Sequence, residues 1–174
     1  MQKSNIFLVG PMGTGKTTIG RLLAKELQLD FIDSDHEIQD RTGVDIPTIF
    51  DFEGEQGFRK RERDVIDSLT QRKGVVLATG GGVILNEANR SHLSSRGIVV
   101  YLRCTPKQQF NRTRHNKNRP LIQTDNPLEK LTVLFEQRDP LYRETCDVII
   151  STEKRSAAIV AREIIRKLDI NDHE

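Results

Sequence analysis

The chain has no tryptophan, two cysteines and no apolar run approaching the ~20 residues needed to cross a bilayer. Each shortage excludes something. Without a membrane-length run, no spanning helix is expected. Cys104 and Cys146 lie far apart and in no paired motif, so neither a disulfide framework nor a zinc site is expected. Each borders an apolar run and reads as a small residue near the core. His36, His92, His115 and His173 show no ligand spacing. An excess of one charge is missing too. The 27 Lys and Arg against 25 Asp and Glu leave +2, little for a nucleic-acid binder. Basic residues gather only from Arg112 to Arg119, and no aromatic residue interrupts them to stack on bases. The opening Met1-Gln2-Lys3-Ser4-Asn5 carries no secretory pattern, so a cytoplasmic location is expected.

What is present is a globular composition, 36% hydrophobic and 30% charged over 174 residues. That suits a single domain, 1–174. Short apolar runs alternate with helical periodicity. Strands are expected at Asn5–Val9, Phe31–Ile32, Val75–Ala78, Ile98–Leu102 and Val148–Ile150. Helices are expected over about 15–28, 55–72, from Thr105-Pro106, over about 127–139, and through Ala157–Leu168. Continuous apolar strands separated by helices predict a parallel sheet covered on both faces, a three-layer α/β/α fold. Ligands then bind at the carboxyl ends of the strands. Residues of about 112–125 are polar and lack periodicity, and they read as a mobile lid.

The sharpest motif is Gly10-Pro11-Met12-Gly13-Thr14-Gly15-Lys16-Thr17, which follows a strand and opens a helix. Glycines let backbone N–H groups approach phosphate oxygens, and the helix N-terminus adds unpaired N–H groups. Lys16 brings a cation to the terminal phosphates, and the Thr17 hydroxyl suits Mg²⁺. Asp33-Ser34-Asp35 ends the second strand. In extended backbone its two carboxylates share one side, one for the metal and one for an attacking hydroxyl. The competing reading is a helix cap at Ser34 or Asp35. Thr79-Gly80-Gly81-Gly82 ends the third strand, either as a close approach to a ligand or as a plain turn. Arg59, Arg119 and Arg138 can present forks to carboxylate or phosphate. Arg61, Arg63 and Arg72 are expected at the surface.

Taken in order, these segments resemble shikimate kinase: the loop at 10–17, Asp33-Ser34-Asp35, Gly54-Glu55-x-x-Phe58-Arg59, Thr79-Gly80-Gly81-Gly82, Arg119-Pro120-Leu121, and Arg138-x-Pro140-Leu141-Tyr142. The resemblance implies a P-loop, nucleoside monophosphate kinase-like fold with five parallel strands in order 2-3-1-4-5. It implies transfer of the ATP γ-phosphoryl group to the 3-hydroxyl of shikimate, a step toward chorismate and the aromatic amino acids. ATP would lie on Gly13, Thr14, Gly15, Lys16, Thr17 and Thr18, with Arg112 and Arg155 by the adenine. Shikimate would lie against Asp35, Arg59, Gly80, Gly81, Gly82 and Arg138, within an acceptor region spanning about 33–60. Lys16, Asp35 and Arg119 would serve catalysis, with Asp35 as base or as orienting group. Thr17 and Asp33 would hold Mg²⁺. No strand-end aspartate of the Walker B kind follows Val75–Ala78, so metal orientation falls to Asp33. A monomer without membrane or nucleic-acid partner is expected. A gluconate or nucleoside monophosphate kinase of the same fold, or a P-loop ATPase switch, remains an alternative.

Overall fold

The structure is a computed structural model. It describes residues 4–113 and 125–171. The chain runs β1 (Ile6–Val9), α1 (Lys16–Leu27), β2 (Asp30–Asp33), α2 (Ser34–Thr42), α3 (Ile46–Thr70) and β3 (Val75–Ala78). A 3₁₀ turn (Val83–Leu85) leads to α4 (Glu87–Arg96), β4 (Ile98–Arg103), α5 (Pro106–Thr113), α6 (Pro127–Thr145), β5 (Val148–Ser151) and α7 (Ala157–Asn171). All strand pairs are parallel, in the order β2-β3-β1-β4-β5. The fold class expected from the sequence is the one observed.

The strand period of two divides the core. Phe7 and Val9 face one side of the sheet with Leu77 and Tyr101, and there meet Phe58, Ile66 and Leu69 of α3 and Tyr142 of α6. Ile6 and Leu8 face the other side, against Ile19 and Leu23 of α1 and Ala161 and Ile164 of α7. The central strands β1 and β3 are buried throughout, as sheets covered on both faces require.

Three helices depart from the sequence expectation. α3 begins at Ile46, where Asp45 accepts from the Thr48 N–H and Pro47 fits the first turn. It bends at Gly54, whose φ of 70° and ψ of −177° leave the helical region. α4 was not anticipated, because it buries only Asn89 and Leu93 and shows no apolar stripe. α6 runs through Pro140 to Thr145, since Tyr142 and Thr145 beyond the proline are buried against the core. The expected surface arginines, Arg61, Arg63 and Arg72, are exposed. Cys104 is buried and Cys146 half-buried, and both are free thiols.

With all strands parallel, their carboxyl ends share one edge. The chain passes from β1 out to β2, returns to β3, then crosses to β4 on the other flank of β1. The crevice therefore opens at the end of β1, where the glycine-rich loop lies.

Candidate active site

The loop after β1 wraps its own carbonyls around a lysine. Lys16 Nζ donates to the Gly10 oxygen at 2.6 Å and the Pro11 oxygen at 2.8 Å. Thr14 Oγ1 donates to Pro11 O at 3.1 Å and tightens the turn. Gly10 has φ of 146°, and a Cβ there would collide with the Leu102 carbonyl of β4. The loop can thus lie flat on the sheet edge only with glycine at that position. Gly15 caps α1 without a side-chain bond, so the first N–H groups of the helix face the crevice.

The crevice is a cavity of about 680 Å³. Gly13, Thr14, Gly15, Lys16, Thr17 and Thr18 line it, together with Asp33, Asp35, Arg112 and Arg155. That volume falls in the range of small-molecule sites. At one end Arg112 bridges two carbonyls, Gly13 O at 2.7 Å and Thr152 O at 3.1 Å. Arg155, exposed, pairs with Glu163 of α7.

At the other end the sequence expectation needs correction. Asp33 and Asp35 do not share a strand. Asp33 ends β2 and is itself the cap of α2, while Asp35 lies in the first turn of that helix. Asp33 Oδ1 accepts from the Asp35 N–H at 2.9 Å and the His36 N–H at 3.1 Å. Neither Ser34 nor Asp35 is the cap. The Asp33 Oδ2 atom accepts from Thr17 Oγ1 at 2.8 Å. One hydroxyl and one carboxylate are hard oxygen donors, the kind that suit Mg²⁺. Among the described residues, no group of three His, Cys, Asp or Glu side chains is placed to hold a metal. An ion here would draw its remaining oxygens from phosphates and water, as Mg²⁺ usually does.

Beyond Asp35 the triglycine turn gathers charges from three helices. Its glycines make room for side chains of the protein itself. A Cβ on Gly80 would stand 2.8 Å from Asp35 Oδ1 and 3.2 Å from Glu62 Oε2. A Cβ on Gly82 would run into the Arg59 guanidinium. At Gly81 it would lie 3.6 Å from Arg138 Nη1 and 3.8 Å from Gly10 O. The turn therefore lies between the phosphate loop and the two arginines. Ser34 Oγ accepts from the Gly80 N–H at 3.3 Å, and the Thr79 hydroxyl donates to Leu8 O at 2.8 Å.

No motif in the sequence singles out Glu62. Its side chain is 1% exposed and pairs with Arg59 Nη1 at 3.0 Å. Its Oε2 has no hydrogen-bond partner among the described residues. Burial pushes the Glu62 carboxyl up to about 7. The Asp35 charge adds to this, while Arg59 and Arg138 oppose it. The signal was present in the spacing: residues 58, 62, 65, 66 and 69 fall on one helical face, and only position 62 breaks its apolar run. Arg138 is 4% exposed; burial lowers its pKa, yet a guanidinium stays charged. Arg59 is half-buried and tied to Glu55 and Glu62, and neither arginine lines the cavity of the phosphate loop. A buried cation such as Arg138 is costly unless an anion answers it. Arg119, and with it residues 114–124 of the expected lid, lies outside the described residues.

A triphosphate on the loop and a small anion between the arginines would meet at the triglycine turn, as phosphoryl transfer between them requires. Fold and site together are those of a P-loop kinase acting on a small molecule. The family model described as shikimate kinase matches residues 12–169. The shikimate kinase of Thiobacillus denitrificans is 56% identical over 169 residues, covering 97% of this chain and 92% of its own. That of Nitrosococcus oceani is 58% identical over 168 residues, covering 97% and 88%. A solved structure of shikimate kinase from Acinetobacter baumannii, in complex with shikimate, superposes with a TM-score of 0.97 at 51% identity, covering 98% of this chain and 96% of that one. The chain belongs to the shikimate kinase family and is an ATP-dependent phosphotransferase with a shikimate hydroxyl as acceptor.

Proposed function

We propose that this cleft carries out the family's reaction, moving the γ-phosphoryl group of ATP to the 3-hydroxyl of shikimate with the residues in the following roles. The phosphates lie on the N–H groups of Gly13 to Thr18, with the adenine between Arg112 and Arg155. Lys16 leaves the carbonyls of Gly10 and Pro11 and follows the γ-phosphate, for which its flexible stem is suited. Thr17 and Asp33 hold Mg²⁺, which supplies charge neutralisation on the phosphates. Shikimate lies against Gly80, Gly81 and Gly82. Its carboxylate is taken by Arg59 and Arg138, and its hydroxyls by Asp35.

The chemistry asks mainly for position and charge. A loose phosphoryl transition state makes little early demand for proton removal. Asp35 therefore orients the hydroxyl first and receives its proton as the new bond forms. Arg119 stabilises the transferring group, the part that resemblance assigns to it. The domain acts as a monomer. Free thiols at Cys104 and Cys146 suit a reducing cytoplasm.

The observation that carries this reading is Arg138, a buried cation one glycine away from the phosphate loop. ADP release from Mg·ATP, measured with shikimate, gluconate, AMP or no acceptor, tests it. Release is expected with shikimate only. A response to gluconate or AMP would overturn the acceptor pocket, and release without acceptor would overturn kinase action.

A further inference from the structure

Tyr142 lies on α6, one turn beyond Arg138, and is 1% exposed. Its ring stacks on Tyr101 of β4, with centroids 4.7 Å apart and planes at 28°. Its hydroxyl donates to the carbonyl oxygen of Gly81. Burial raises its pKa above the ordinary tyrosine value, so the hydroxyl keeps its proton and remains a donor. Tyr101 is fixed in turn, its own hydroxyl donating to Asp139 Oδ1 at 2.6 Å.

The hydroxyl also accepts from the Arg138 side chain. Its bond to Gly81 acts on a rigid unit. The Gly81 carbonyl and the Gly82 N–H belong to one planar peptide and point in opposite directions. Holding the oxygen on Tyr142 aims the Gly82 N–H away from it. The same unit lies beside both arginines. Its Gly81 end faces Arg138 Nη1, and its Gly82 end abuts the Arg59 guanidinium. The peptide lies between two cations that repel one another, of which Arg59 is also tied to Glu55 and Glu62.

We propose that Tyr142 is a positioning residue for the acceptor carboxylate: its hydroxyl sets the Gly81–Gly82 peptide that spaces Arg59 from Arg138. This rests on the acceptor pocket proposed above. The test compares shikimate with an analogue bearing a carboxamide in place of the carboxylate, at saturating Mg·ATP. Tyr142→Phe is expected to lower kcat/KM for shikimate about tenfold, mostly through KM, as loss of these buried hydrogen bonds would. The carboxamide and the KM for ATP are expected to change less than about twofold. Loss of a merely structural contact would lower both acceptors alike, and that result, or no loss at all, overturns the proposal. Tyr101→Phe removes the Asp139 bond and leaves the Gly81 bond, and is expected to spare the shikimate KM. An equal effect from Tyr101→Phe would assign the change to a loosened α6 and overturn the proposal. Arg138→Ala, measured in parallel, separates the two readings. If it discriminates between the acceptors and Tyr142→Phe does not, the inference fails alone. If neither discriminates, the pocket itself is misread. Should Tyr142→Phe not fold, Gly82→Ala pushes on Arg59 from the other end of the same peptide. It is expected to raise KM for shikimate only, and an unchanged KM would overturn the spacer role.

Discussion

The two halves of the proposed site would recognise their ligands by different means. On the phosphate side the chain offers backbone: one short loop, the start of one helix and a single lysine. On the acceptor side it offers side chains, with Asp35 from α2, Arg59 and Glu62 from α3 and Arg138 from α6 converging on one turn. Backbone recognition is contiguous and needs no buried charge. Side-chain recognition is scattered along the chain and places ionised groups where water is scarce, so each needs a partner. On the proposed roles, the first half would suit any nucleoside triphosphate, while the second would select one acceptor.

Removing the lysine should break the contrast most severely. Lys16→Ala is expected to lower turnover on the order of 10³-fold at saturating shikimate, followed as ADP release. Near-normal turnover would mean that backbone alone stabilises the transferring group. The next effect is smaller and one-sided. Arg59→Ala or Arg138→Ala is expected to raise the KM for shikimate about 10²-fold, because a buried carboxylate would lose a charged partner. The KM for ATP should stay within about twofold. Equal losses on both ligands would dissolve the distinction between the halves.

The smallest effect concerns Glu62 and is read from stability. The unfolded carboxyl loses its proton near its ordinary 4.5, whereas the folded one holds it to about 7. Between those values the folded state binds more protons than the unfolded state. Stability therefore falls as pH rises through this window, and the penalty is complete above about 7. Glu62→Gln has no such proton to lose. Its Tm relative to the wild type is expected to climb from pH 4.5 to about 7 and then level off. A flat difference would make Glu62 a plain ion-pair partner of Arg59.

The same contrast explains what could be read in advance. The strands announced themselves as apolar runs, and the phosphate loop as a spacing of glycines before a lysine. Both are local patterns. The acceptor pocket has no local pattern. Glu62 was passed over because a glutamate in a helix is ordinary until its neighbours prove to be core. The Asp33-Ser34-Asp35 triplet was misplaced by backbone, because an aspartate that ends a strand can equally begin a helix, and here it does both. Gly80 and Gly82 invited a reading of close approach by a ligand. The atoms that approach them are those of Asp35, Glu62 and Arg59, which only the folded chain brings near. Arg138 stood out as a possible fork and its acceptor role came through resemblance; that it is buried follows from the packing of α6, which no local pattern announces.

Asp33 joins two tasks that many sites keep separate. One of its oxygens starts a helix, and the other faces the loop hydroxyl of Thr17. A carboxylate held by two amides has little rotation left to lose when a ligand arrives. Its ordering entropy is surrendered once, as the chain folds, and need not be given up again at each turnover.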